Sequence, residues 1–235
     1  MPLFPPRINA LLKGFTDHHS HILPGVDDGV KKMETSLKVL KHYEQLGFAE
    51  VWCTPHVMED IPNTTEGLRS RFAELCAAYQ GPIKLHLAAE YMMDALFDER
   101  LEQGDLLPLG DDGQQLLVET SYYTPPMNMG NIMERVMDKG YKPILAHPER
   151  YQYMGKEDYK RWKDRGVLLQ LNLPALVGAY GPLVMKKAEW LLKENMYDYC
   201  GSDTHSIEQV ELFLASEISR KIVNKVKSIT ERQVL

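Results

Sequence analysis

Residues 16–29 read TDHHSHILPGVDDG, with three histidines and three aspartates inside fourteen residues that open like a strand and run into a Pro-Gly turn. On an extended chain successive side chains alternate in face. Asp17, His19 and His21 therefore share one side, and His18 and Ser20 share the other. Two imidazoles two residues apart on one strand face can reach a single cation, whereas a helix needs a spacing of three or four. An HxH pair also occurs by chance on surface strands, so the residues downstream must decide between the two.

Downstream, apolar runs alternate with helical periodicity. In 31–47, Met33, Leu37 and Leu40 keep helical spacing and stop at Gly47, and in 66–79 Leu68, Phe72, Leu75 and Tyr79 form one face. FAEVWCTPH (48–56), IKLHLAAE (83–90), QQLLVETS (114–121), KPILAHPER (142–150), VLLQLNL (167–173) and YDYCGSDTH (197–205) read as strands. NIMERVMDKG (131–140), EDYKRWKDRG (157–166), PLVMKKAEWLLKEN (182–195) and IEQVELFLASEISRKIV (207–223) read as helices. This alternation predicts an α/β fold with a parallel sheet, and at 235 residues a closed barrel is favoured over an open doubly wound sheet. Residues 1–14, MPLFPPRINALLKG, are expected to be an arm, and 15–235 one domain.

In such barrels the C-terminal strand ends converge on one mouth. Those ends carry His19 and His21 with Asp28 just beyond, then His56, Glu90, Glu119, His147, Asp203 and His205. A lone polar residue at a strand end is usually an ordinary hydrogen-bonded group, but one at nearly every end is not. His42, in a helix of lysines and glutamates, His86, inside a strand, and His18, facing away from the HxH pair, read as structural. The four carboxylates of the set would be neutralised by two divalent ions, and a third would leave positive charge for an anionic substrate. Nitrogen and oxygen donors without thiolate suit manganese, iron or zinc.

Composition narrows the classes. With 44% hydrophobic and 26% charged residues the chain has a globular balance, and no run of 18 apolar residues predicts membrane insertion. A net charge of −6 argues against a general nucleic-acid binder. Cys53, Cys76 and Cys200 form no CxxC pair and no Cys-x5-Arg phosphate loop, which excludes a thiolate nucleophile of that type and fits a cytoplasmic location.

HSHILPGVDDG, TPH, the isolated strand-end glutamates, AHPERY and SDTH, in this order, resemble the PHP (polymerase and histidinol phosphatase) superfamily. Within it they are most similar to the bacterial manganese-dependent protein-tyrosine phosphatases encoded with capsular and exopolysaccharide machinery. The likeness runs from about Phe15 to about Ser206. It implies a distorted (β/α)7 TIM-like barrel with three divalent ions, manganese first, held by His19, His21, Asp28, His56, Glu90, Glu119, His147, Asp203 and His205. It further implies that Arg150 clamps phosphate, and that the substrate is protein phosphotyrosine, on the tail of a polysaccharide-export tyrosine kinase. Arg150 has a simpler reading as the partner of Glu149 or of a ligand carboxylate.

Hydrolysis of a phosphomonoester by metal-activated water is the expected reaction, and tyrosinate, with a pKa of about 10, leaves without an obligatory general acid. Tyr122 and Tyr123 are candidates to flank the substrate ring. Three alternatives are a histidinol-phosphate or other small-molecule phosphatase, a metal-dependent amidohydrolase, which typically needs a strand-end lysine absent here, and a non-catalytic metal-binding module of the export machinery. The family often has basic residues after the TPH and DxH motifs. Here VMEDIPNT carries Glu59 and Asp60, and SIEQVELFL has no cation. That loop predicts no preference for acidic phosphopeptides unless residues such as Lys156 line the mouth instead.

Overall fold

The structure, a computed structural model, describes residues 12–232. In chain order the elements are β1 (Thr16–Ser20), α1 (Met33–Leu46), β2 (Glu50–Cys53), β3 (His56–Val57), α2 (Thr65–Ala78), β4 (Lys84–Leu87) and β5 (Glu90–Met92). There follow α3 (Ala95–Gln103), β6 (Gln115–Glu119), α4 (Met129–Asp138), β7 (Lys142–Ala146), α5 (Lys156–Asp164), β8 (Leu168–Asn172), α6 (Pro182–Lys193), β9 (Tyr199–Gly201), α7 (Ile207–Ala215) and α8 (Arg220–Arg232). Every strand pairing is parallel, in the orders β1-β2-β4 and β3-β5-β6-β7-β8-β9.

The two sheets are one curled surface interrupted twice. β2 runs into β3 across Thr54 and Pro55, and β4 into β5 across Ala88 and Ala89. The Ala88 N–H to Cys53 carbonyl (2.9 Å) and Glu90 N–H to Pro55 carbonyl (3.1 Å) bonds carry the pairing across both gaps. The result is an α/β fold built on a curled parallel half-barrel. At its rim the end of β1 meets the end of β9. The Asp203 N–H donates to the His19 carbonyl (2.8 Å), and the His21 N–H to that of Thr204 (2.9 Å).

Alternate strand residues face different cores, so both faces are buried and the strands read as nearly continuous apolar runs. Leu116, Val118, Leu145, Leu169, Leu171 and Cys200 join the large cluster under the helices. Trp52, Ala88, Leu117, Ile144 and Ala146 form a small second cluster inside the curl. Two residues beyond Ala88 and Leu117 in the same parity stand Glu90 and Glu119, so the inner cluster is the floor beneath the polar strand ends.

Helix termini follow local chemistry. Thr64 and Asp94 cap α2 and α3 by accepting from the N–H groups of Gly67 (3.1 Å) and Phe97 (2.9 Å), each worth about 1 kcal/mol. α1 ends at Gly47, whose φ of 80° suits glycine, and buries Ser36, Val39, Leu40 and Tyr43, leaving Met33 and Leu37 half-buried. The expected 207–223 helix is two helices: the chain is extended at Ser216, and α8 turns to pack on α6 and β9 through its Val223, Val226 and Ile229 face. α3 was not anticipated. The expected arm lies mostly outside the described residues. Its last part is tied down, since Leu12 is buried and the Gly14 N–H donates to the Gly47 carbonyl (2.6 Å). Among the described residues no helix is long and apolar enough to cross a membrane.

β1 departs from simple alternation. Asp17 pairs with Val51 and Ser20 with Cys53, three steps against two, which is a bulge at His18 and His19. Asp17 consequently leaves the histidine face and bonds Ser202, while His18 turns inward to pack edge-on against Tyr199 at 5.0 Å.

Candidate metal centre

The strand ends bring all nine expected donors together. His19, His21 and Asp203 form one group; His19, Glu90 and His147 a second; His56, Glu90 and Glu119 a third; and His21, Asp28, His56 and His205 a fourth. The Nε2 atoms of His19 and His21 lie 3.0 Å apart, and both face Glu90 Oε2 (3.1 and 3.3 Å) and Asp203 Oδ1 (3.5 and 3.4 Å).

The other ring nitrogens determine what those Nε2 atoms are. His19 Nδ1 meets Gln170 Oε1 at 2.9 Å, and the Gln170 amide is oriented by its own donation to the Leu171 carbonyl. His21 Nδ1 meets Asp27 Oδ2 at 2.8 Å, and His205 Nδ1 meets the Asp203 carbonyl at 2.9 Å. Each partner only accepts, so each Nδ1 carries the proton and each Nε2 offers a lone pair. Lone pairs facing lone pairs and carboxylates draw positive charge between them, as protons on the imidazoles or as a metal ion held by them.

The third group leads to the same conclusion. His56 Nδ1 stands 3.1 Å from both Glu90 Oε2 and Glu119 Oε1, yet these three buried atoms have no hydrogen-bond partner. An unpartnered buried polar atom costs about 1–3 kcal/mol, and one divalent ion would satisfy all three. Burial alone would lower the pKa of His19, but Glu90 and Asp203 override it and raise it to about 9. Against the same burial, the facing imidazoles hold Glu90 and Asp203 well below the carboxylate range. The cluster demands positive charge, and its donor set fits a divalent metal.

Backbone geometry places several of these groups. β7 stops at Ala146, so His147 lies beyond the strand in a left-handed conformation (φ 33°) that turns its Nε2 to 3.0 Å from Glu90 Oε1. Asp203 is left-handed as well (φ 51°). Its Oδ2 accepts from Asn172 Nδ2 (2.7 Å) and from Arg150 (2.9 Å), leaving Oδ1 for the histidines. Two glycines permit the close approach of β1. A Cβ on Gly29 would strike the His21 carbonyl, and one on Gly201 would strike His19 Cβ.

The family described as capsular polysaccharide synthesis, CpsB/CapC, matches residues 15–230. The chain belongs to the CpsB/CapC family. It is 27% identical over 218 residues to the tyrosine-protein phosphatase CpsB of Streptococcus agalactiae, covering 85% of this chain and 86% of that protein. With the tyrosine-protein phosphatase YwqE of Bacillus subtilis it shares 23% over 198 residues, covering 82% and 78%. The crystal structures of YwqE from Bacillus subtilis and CpsB from Streptococcus pneumoniae, described as metal-dependent tyrosine phosphatases, share the fold at a TM-score of 0.78 and 20% identity, covering 94% of each chain. The phosphotriesterase homology protein of Escherichia coli, with phosphate in its active site, follows at 0.53, 11% identity and 94% of each chain.

Within this CpsB/CapC chain, Arg150 is at the mouth and pairs with Asp203, which is the simpler of its two expected readings. It is also clamped between the Tyr122 and Tyr180 rings at 4.1 and 4.4 Å. Glu149 is not its partner. It is buried, accepts from the Asn172 N–H (2.9 Å) and the Tyr197 hydroxyl (2.8 Å), and burial pushes its carboxyl up to about 7. Tyr122 lies edge-on to His147 at 5.7 Å, whereas Tyr123 is 70% exposed.

The sequence reading missed Asp27, Gln170, Asn172 and Tyr180. Asp27 was detectable, since one aspartate of DDG must face back toward His21 if the other faces out. Asp28 is the outward one, with its Oδ1 at 3.6 Å from His56 and 3.5 Å from His205. Of the remaining histidines, His86 stacks on Trp52 at 4.4 Å and bonds Glu50, and His42 bonds the Lys38 carbonyl of its own helix, both away from the cluster.

Proposed function

We propose that this protein is a metal-dependent protein-tyrosine phosphatase whose centre holds three divalent ions, manganese first and iron or zinc as substitutes. The carrying observation is the pair of imidazole Nε2 atoms held 3.0 Å apart against two carboxylates. The nine ligands proposed are His19, His21, Asp28, His56, Glu90, Glu119, His147, Asp203 and His205. The fold reading that accompanies this is a distorted (β/α)7 barrel within a single domain, 15–235, supported by the contacts of β1 with β9.

The bound ions supply Lewis-acid charge for the phosphoryl group and a water acidified for attack. The chain's own residues do the rest. Gln170, Asp27 and the Asp203 carbonyl fix the tautomers of His19, His21 and His205, which keeps those three Nε2 atoms aimed inward. Asn172 and Arg150 hold one oxygen of Asp203, so the carboxylate offers the other in a fixed direction. The guanidinium plane, set by Tyr122 and Tyr180, keeps further N–H groups for phosphate oxygens, the geometry that suits Arg better than Lys. Tyr122 presents an aromatic edge to the ring of the substrate. The physiological substrate proposed is a phosphotyrosine protein of the polysaccharide-export machinery, a tyrosine kinase among them, in the cytoplasm.

The test is metal analysis of the purified protein together with hydrolysis of a phosphotyrosine peptide before and after chelation. Activity lost on chelation and restored by manganese is expected. Metal occupancy without turnover would replace the enzyme by a binding module, and faster turnover of histidinol phosphate would replace the substrate class.

A further inference from the structure

One side of the mouth opens into a groove of about 840 Å³ that the reaction itself does not use. Arg150 and Tyr180 form its inner end, so it is continuous with the centre, and it runs outward between α5 and α6 past Met154, Leu183 and Trp190. Small-molecule sites span about 300–1,000 Å³, so this groove has room for more than one side chain beyond a phosphotyrosine. Its walls are largely apolar, and Leu183 at the rim is 77% exposed.

Its charge is one-sided. Lys156 and Lys186 stand on the rim, exposed, and neither makes an ion pair among the described residues. Lys156 lies over the Trp190 ring at 5.1 Å, which holds its ammonium at the groove. The carboxylates nearby on α5 are engaged elsewhere, Glu157 by Lys160 and Asp158 by Arg161. Lys187 donates to the Tyr151 carbonyl, and Glu149 is buried below. The loop after β3, at the other end of the six-stranded order from β8 and β9, presents Glu59 and Asp60, both exposed. A chain of net charge −6 thus keeps two unpaired cations beside an apolar trough next to its candidate centre.

We propose that this groove seats the polypeptide on one side of the substrate phosphotyrosine, and that it selects a segment in which acidic residues alternate with bulky apolar ones. The apolar side chains fill the trough between Met154, Leu183 and Trp190, and the carboxylates reach Lys156 and Lys186. The acidic loop carrying Glu59 and Asp60 repels the same residues from the other end of that strand order, so the substrate chain lies in one direction only. This rests on the phosphatase reading above and adds its sequence preference.

The test compares kcat/KM of the metal-loaded protein on two phosphotyrosine peptides, one flanked on a single side by Asp/Glu and Leu, the other by Ala. Free phosphotyrosine serves as the reference for each variant. The acidic peptide is expected to be about five- to tenfold better at low salt, with the advantage shrinking as salt rises. In a Lys156→Glu/Lys186→Glu variant the ratio of the two peptides should fall to one or invert, and Leu183→Asp should reduce it independently. Equal rates on both peptides, or a preference unchanged by the lysine variant, overturns the groove while hydrolysis of free phosphotyrosine still supports the centre. No hydrolysis of free phosphotyrosine or of either peptide overturns both.

Discussion

Two fully buried polar clusters sit a few residues apart along β1 and β9, and they are built in opposite ways. Around Asp17 every acceptor has a donor. Its carboxylate takes the Ser202 N–H (2.8 Å), the Ser202 hydroxyl (2.6 Å) and the His19 N–H (3.3 Å), and the Tyr43 hydroxyl closes the set on Thr204 (2.7 Å). Burial still pushes the Asp17 carboxyl up to about 6. Around Glu90 acceptors face acceptors: four imidazoles and two further carboxylates converge, and several atoms have nothing to bond. Histidine and aspartate occur in both neighbourhoods, so composition does not separate them. A cluster complete in itself holds strands together, and one that lacks positive charge is prepared to receive it.

The contrast is tested most severely at the incomplete cluster. Glu90→Ala or His147→Ala should lower bound metal and phosphatase rate by orders of magnitude, measured by elemental analysis and peptide hydrolysis, with the far-UV spectrum unchanged. Asp27→Asn leaves all nine proposed ligands in place but replaces one of the two oxygens that accept from His21 Nδ1, the His56 N–H and the Gly29 N–H by a donor, so the group that fixes the His21 tautomer is weakened. It should weaken metal affinity by about 10–100-fold in a chelator competition titration. Arg150→Lys keeps the charge but loses the planar fork, so KM should rise and kcat/KM fall with metal content retained.

The complete cluster should respond in stability alone. Asp17→Asn turns an acceptor into a donor opposite the Ser202 N–H or hydroxyl and should cost about 1–3 kcal/mol in urea denaturation, with metal stoichiometry kept at saturating manganese. His42→Ala should change neither quantity measurably. Alkylation should also be nearly silent, since Cys53 and Cys200 are buried and only Cys76, on α2, is exposed. If Asp17→Asn strips the metal as thoroughly as His147→Ala, the two clusters are one site and the distinction fails.

The donors were legible because strand ends in parallel α/β folds are recognisable from apolar runs, and a histidine or glutamate closing such a run stands out. What surrounds the donors was not. Gln170 and Asn172 lie inside an apolar strand, where a polar residue gives no hint of which imidazole or carboxylate it orients, and Tyr180 reaches Arg150 from a loop outside any periodic pattern. The bulge in β1 was equally invisible, because one extra residue leaves composition unchanged yet sends Asp17 and His18 to the opposite sides from those alternation assigns. The break between α7 and α8 was masked by apolar residues that stay periodic across it.

Gly29 and Gly201 have a consequence for anyone who would move this centre to another scaffold. Copying the nine donors onto a second parallel barrel would reproduce every chemical group and still displace the segment that carries His19 and His21, because a single methyl group at either glycine position occupies the space of His21 or His19. The transplantable unit is therefore eleven residues, two of them defined only by what they leave empty.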